Sequence, residues 1–322
     1  MSPETVAKFK KMCPEMDSRT QEVWFRRLTA GCAMIIILMM GAFFLQLCWH
    51  SLPAMQTFGW KFLISTEWDP VRNQYGAAAA IYGTLVTTAI AILIAVPLSF
   101  IIALFLVELA PPWLGTVISH ALDLLAAIPS IIFGMWGLFV FIPVMQNHIQ
   151  PFIANTLHLK WFPLFGGTSS GSGYLTGGLV LALMILPFVC AVMRDVFRMV
   201  PQVMKEAAYG IGCTTFEVSW KVTLRYGMQG MLGAVFLGLG RAVGETMALL
   251  YVIGNYPAIS ASLFAPGTTI AAMLANNFAE AGGVFKSALF ELGLILLCIT
   301  FLIQVAAQWW LNNVKRKAGG GL

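Results

Sequence analysis

The sequence predicts an all-α integral membrane protein with six transmembrane helices and both termini in the cytoplasm. Three observations carry that reading. Only 10% of the 322 residues are charged and 59% are hydrophobic, whereas a soluble domain carries about 25% charged residues. The apolar residues gather into runs at roughly 28–48, 77–107, 116–145, 174–193, 227–255 and 287–310, each near or beyond the ~20 residues that cross a bilayer as helix. The basic residues, finally, are placed asymmetrically around those runs.

That asymmetry sets the orientation. Of 19 lysines and arginines, six precede the first run: Lys8, Lys10, Lys11, Arg19, Arg26 and Arg27. Five lie between the fourth and fifth (Arg194, Arg198, Lys205, Lys221, Arg225), and Lys315, Arg316 and Lys317 follow the last. The alternate segments hold only Lys61, Arg72, Lys160 and Lys286. The positive-inside rule puts the richer set in the cytoplasm. The net charge of +5 is therefore an orientation signal, and nucleic acid is excluded as a partner.

Taken in order, residues 1–27 form a cytoplasmic tail, 28–310 the six-helix domain and 311–322 a second cytoplasmic tail. The first run ends in "LQLC", but Gln46 and Leu47 stand where a lipoprotein cleavage site needs small residues. It reads as an uncleaved helix. The second run contains Pro97 and the third Pro129, where either helix can bend. "ELAPPWLG" at 108–115 is a tight cytoplasmic break at Pro111 and Pro112. The outer segments carry Trp49, Trp60, Trp68, Tyr75, Trp161 and Phe162, which fit an interfacial aromatic belt or a docking face. "GGTSSGSG" at 166–173 reads as a linker, since it lacks the lysine of a phosphate-binding loop. The six cysteines show no C-x-x-C pair and the four histidines no i,i+4 pair, so no metal site is expected.

The segment 194–226, "RDVFRMVPQVMKEAAYGIGCTTFEVSWKVTLRY", reads as folded. Pro201 opens a short helix running to about Tyr209, and Gly210 and Gly212 permit the left-handed turn that ends it. Thr214 and Glu217 match a capping box for a second short helix. Helix, glycine turn and helix make a small cytoplasmic knuckle.

"EAAYGIG" resembles the EAA loop of ABC-importer permeases: Glu206, Ala207, Ala208 and Gly212 match, and Leu224 matches further on. Val222 stands at an isoleucine position, and Arg225 replaces the family's proline. With "IYGTLVTT", "LLAAIPSIIFGMWGLF", "AVMRDVF" and "GLGRAVGETMALL", the likeness narrows to the PstC-type permeases of phosphate-specific ABC importers, over roughly residues 50–310. The resemblance implies a type I, MetI-like permease fold in the bacterial inner membrane. It implies a second related permease, a dimer of ATP-binding subunits and an extracytoplasmic phosphate-binding protein as partners, with phosphate as substrate. ATP and magnesium would belong to the ATPase; this chain has no Walker A motif and is read as a non-catalytic subunit without a cofactor. Glu206, Ala207, Ala208 and Gly212 become the expected ATPase-coupling residues.

Two charges, Arg241 and Glu245, lie inside the fifth run. A charge at a span centre costs roughly 2.5–3.5 kcal/mol on insertion scales. At i and i+4 the pair shares one face of the helix, beside a stripe of Gly240, Gly244 and Ala248 that would admit a close neighbour. Two readings stand open: a self-neutralising structural pair, or a translocation site in which Arg241 offers its donor fork to phosphate while Glu245 holds it between turnovers. The chain could equally serve another oxyanion, act as a stand-alone secondary anion transporter, or report phosphate supply. The EAA-like loop argues against the stand-alone transporter.

Overall fold

A computed structural model describes residues 18–153, 164–166 and 170–319, with side chains from 21 to 313 within those ranges. Lys8, Lys10, Lys11, Lys160, Trp161 and Phe162 lie outside the described residues, as do the side chains of Arg19, Lys315, Arg316 and Lys317. The chain divides into two units, residues 1–50 and 51–322. The first contains most of helix α1 (Ser18–Phe58). Its apolar surface is exposed all round, from Met34 through Met40, as suits a helix solvated by lipid rather than water. The helix starts within the segment read as a tail, because Ser18–Arg27 contains neither proline nor glycine to stop it.

In the second unit, α1 ends at Gly59, whose φ of 53° only glycine adopts freely. A short helix α2 (Lys61–Ile64) and a two-residue hairpin, β1 (Trp68–Asp69) with β2 (Gln74–Tyr75), follow, and Trp68 pairs with Tyr75. Tyr75 stacks on Phe285 at 5.2 Å. Helix α3 (Ala78–Leu104) widens into a π-turn, Phe105–Leu109, in which Ala110 N–H donates to Phe105 C=O at 2.8 Å. Pro97 sits inside α3 without breaking it.

The third run divides, contrary to the expectation of a continuous span at 116–145. Helix α4 (Pro112–Ala127) ends at Ile128, which is extended. The cause is Pro129: a proline pushes the preceding residue out of the helical region. Helix α5 (Ser130–Trp136) then runs on through two π-turns to Ile149 as an apolar span. Helix α6 (Tyr174–Arg198), helices α7 (Gln202–Gly210) and α8 (Thr215–Val218), and α9 (Leu224–Val243) follow. Helices α10 (Met247–Val252), α11 (Ile270–Asn277) and α12 (Gly283–Gly319) complete the chain.

The run at 227–255 is also interrupted, between α9 and α10. Gly244 turns out of the helix, and Glu245 N–H reaches back only to Ala242 C=O at 3.3 Å. Among the described residues, five helical segments are long and apolar enough to cross a membrane: 21–58, 78–109, 130–149, 174–198 and 283–313. The fifth apolar run thus exists as two helices, α9 and α10, rather than one.

The packing centre is α3 against α6. Helix α3 buries Ala80, Thr84, Thr88, Ala91, Ala95, Ser99 and Ala103, a stripe of small side chains about one turn apart. Helix α6 meets it with Gly177 and Gly178; a methyl at Gly178 would lie 2.6 Å from Ile90. Small residues let helix backbones approach when water supplies no hydrophobic drive. The Ser99 hydroxyl donates across the gap to Leu186 C=O at 2.9 Å.

The irregular segment 253–269 packs against the ends of these helices. Tyr82 and Tyr174 donate to Ser260 C=O and Ala258 C=O, each at 2.9 Å, while Thr84 Oγ1 accepts from Ile270 N–H at 3.0 Å. Non-helical backbone at membrane depth is tolerated where protein satisfies its polar groups.

A second close contact joins α5 to α10. A methyl at Gly134 would lie 2.9 Å from Met247 C=O and 3.1 Å from Ala248 Cα. Both are backbone atoms and cannot rotate aside. Gly134→Ala should therefore cost about 1–3 kcal/mol by overpacking, read as a lower Tm of the purified protein. An unchanged Tm would mean that α10 is free to shift.

Candidate functional site

The knuckle is built as its sequence requires. Pro201 precedes α7 in an extended conformation, and its missing N–H is no loss at a helix start. Gly210 is the last helical residue; Gly212 alone takes the left-handed turn, at φ 91°. Thr214 Oγ1 accepts from Glu217 N–H at 3.3 Å, and the Glu217 carboxylate accepts from Thr214 N–H at 3.1 Å, the reciprocal capping box. Lys221 donates to the same carboxylate at 3.1 Å. The Thr214 backbone N–H first, then Lys221, hold the Glu217 carboxyl below the ordinary carboxylate range.

The α7 helix has two faces. Glu206 and Ala207 are exposed, beside Val203, Met204 and Tyr209. Ala208 and Lys205 point inward. Past the turn, Ile211 and Phe216 are among the most exposed apolar side chains of the unit, and Phe216 stacks on Trp220. The knuckle thus presents a large apolar group beside a cap and a glycine turn.

The inward face carries a feature that sequence reasoning missed. Lys205 Nζ donates to Glu108 Oε1 at 2.6 Å, and both side chains are more than nine-tenths buried. Thr223 Oγ1 donates to the same oxygen at 2.8 Å. Glu108 lies at the end of a span yet is enclosed rather than open to water. The available signal was the three-residue spacing of Lys205 and Ala208, which puts both on the inner side of α7. Nearby, Arg194 reaches Asp123 at 3.4 Å and Asp195 at 3.3 Å, joining α6 to α4.

The Arg241–Glu245 arrangement corrects the sequence expectation. The two residues do not share a face of one helix, because the helix ends between them. No ion pair joins them among the described residues. Arg241 occupies the last turn of α9, is exposed, and lies 5.7 Å from the Phe188 ring centre. Glu245 is buried at 8% exposure, and its Oε1 accepts from Ala248 N–H at 3.3 Å at the start of α10. Each charge thus meets the helix end of complementary polarity: a cation at the C-terminus of one, a carboxylate at the N-terminus of the next.

The stripe of Gly240, Gly244 and Ala248 is broken by the same interruption. A methyl at Gly240 would lie 2.7 Å from Gln304 of α12, whereas Gly244 faces only its own preceding turn. Ala248 is fully buried against Gly134 of α5. The hydroxyls of Thr84 and Thr87 donate to Ala80 C=O and Gly83 C=O, so they serve the helix backbone.

Long apolar helices with a small exposed helix–turn–helix between two of them are the build of a transport permease. The chain belongs to the binding-protein-dependent transport system inner membrane component family, which matches residues 95–318. It is 49% identical over 305 residues to the phosphate transport system permease protein PstC of Pasteurella multocida, covering 92% of this chain and 94% of that protein. This identity and coverage place it with the PstC-type permeases. The fold resembles a chain of a bacterial alginate ABC transporter (TM-score 0.59, 12% identity, 89% of this chain and 94% of that one). It also resembles a chain of the inward-facing MetNI methionine ABC transporter (TM-score 0.54, 17% identity, 77% and 99%). The protein is accordingly a multi-pass inner-membrane component and a non-catalytic transport subunit.

Two measurements test the knuckle. Thr214→Ala should speed amide exchange at Glu217 and Val218 roughly fivefold, the effect of losing one cap. The depressed Glu217 carboxyl contributes stability above its unfolded value, and that contribution is lost as pH falls through the folded one. Amide protection at Thr214, corrected for intrinsic rate, should therefore decline on acidification, and Glu217→Gln should flatten the decline.

Proposed function

We propose that this chain is the permeation subunit of an ATP-driven importer of inorganic phosphate. On this reading a dimer of ATP-binding subunits docks on the cytoplasmic knuckle, at Glu206, Ala207 and the exposed apolar residues around Gly212. A second related permease completes the pathway, and an extracytoplasmic binding protein delivers phosphate. ATP and magnesium act in the partner ATPase.

The observation that carries the pathway assignment is the state of Arg241. Its guanidinium is exposed at a helix break and has no carboxylate partner among the described residues. A planar fork with open donor positions suits bidentate contact with phosphate oxygens. Glu245 is engaged elsewhere, at the start of α10. It therefore does not hold Arg241 between turnovers in this conformation; it fixes the break that presents Arg241.

Arg241→Gln in the reconstituted complex should abolish phosphate uptake, by at least a hundredfold, while ATP hydrolysis continues. Uptake with normal kinetics would remove Arg241 from the pathway. Competition of sulfate against phosphate uptake settles the oxyanion.

A further inference from the structure

We propose that Glu108, Lys205 and Thr223 form an internal strut that carries motion of the knuckle into the transmembrane helices, with Lys205 and Glu108 as positioning residues for transport. The proposal rests on the reading of the knuckle as an ATPase docking site, and it assigns the link on the inner side.

Three observations converge. The first is geometric. Lys205 projects from the face of α7 opposite Glu206 and Ala207, so one nine-residue helix addresses a partner on one side and Glu108 on the other. The second is the pair of π-turns. Glu108 lies in the turn that ends the α3 span, Phe105–Leu109, and Thr223 in the turn Ser219–Thr223 that precedes α9. Turns of this kind insert an extra residue and re-aim side chains, and they concentrate at functional positions. Here one turn delivers the Glu108 carboxylate and the other the Thr223 hydroxyl that donates to it, beside the Lys205 ammonium.

The third is energetic. A buried ion pair is weak evidence for stability, since a well-packed apolar pair in its place is often neutral or stabilising. What the charged cluster adds is a directional link with one permitted geometry, held at 2.6 and 2.8 Å. Helix α3 is the right recipient. Its small-residue stripe runs from Ala80 to Ala103, and near its other end Tyr82 holds the irregular segment 253–269 while Thr84 holds the start of α11. A displacement of α7 is thus handed to a helix whose far end holds Ser260 and Ile270.

The test uses the full complex in proteoliposomes, with inorganic phosphate and ATP as probes. Lys205→Met and Glu108→Gln should lower phosphate transported per ATP hydrolysed at least tenfold, with assembled complex and ATP hydrolysis retained at half or more of the wild-type level. The exchanged pair Glu108→Lys with Lys205→Glu should recover much of the loss. A second readout does not depend on the substrate: amide exchange at residues 100–109 should change on vanadate trapping in the wild type and not in Lys205→Met. A wild-type complex that traps normally but moves no phosphate would defeat the substrate assignment and leave the strut supported by the exchange data. An unchanged transport ratio in the single variants, or an unaltered exchange response, would overturn the strut. Loss of uptake and hydrolysis strictly in proportion to lost assembly would also overturn it, as the mark of a purely structural pair.

Discussion

The approach of α3 to α6 is the contact on which the rest of the second unit depends. In lipid there is no hydrophobic gain from bringing two apolar helices together, so the contact must come from close packing and shared polar groups. Alanines and threonines on α3 and the glycines of α6 supply the first, and the Ser99 hydroxyl on Leu186 supplies the second. Helix α6 then offers other surfaces to other helices. Val189, Cys190, Met193 and Phe197 join Ala103, Leu122, Met231 and Ala234 in one buried cluster, and Val180 and Met184 join Ala248 and Val252 in another. Enlarging one small residue along this seam would move several helices, because interiors packed this closely transmit displacement rather than absorb it.

The charges follow the same economy of partners. Three of the ionisable groups in or beside the apolar runs are placed where backbone or another charge can answer them. Glu245 takes a free N–H at the start of α10, Arg241 sits where α9 leaves its carbonyls open, and Glu108 is met by Lys205 and Thr223. The cost of a charge is thus offset locally at these three positions. Arg241 differs from the others in being exposed with its donors open among the described residues.

Much of this architecture was legible in the sequence. Composition and run length gave the helical membrane class, and the capping box at Thr214 and Glu217 and the turn at Gly212 read correctly, because they depend on residues within a few positions of one another. The break at Pro129 was recognised as a possible bend and proved to be a full interruption. The break at Gly244–Thr246 was not legible. Periodicity treats an apolar run as continuous, and nothing in "RAVGETM" outweighs that pattern until Glu245 is seen to cap the next helix. Contacts between distant segments were equally out of reach: Glu108 and Lys205 are 97 residues apart, and their pairing is decided by the packing of α7 against the end of α3. The small-residue stripe on α3 lies at helical spacing in the sequence, but its alanines and threonines are ordinary helix composition until α6 is seen to pack on them.

The Glu108–Lys205 pair also bears on how such a permease can change over generations. Loss of Lys205 alone leaves an enclosed carboxylate met only by the Thr223 hydroxyl, and loss of Glu108 alone an enclosed ammonium without its carboxylate, whereas exchanging or replacing both keeps a filled space. The two positions are therefore expected to change together, although they lie 97 positions apart along the chain.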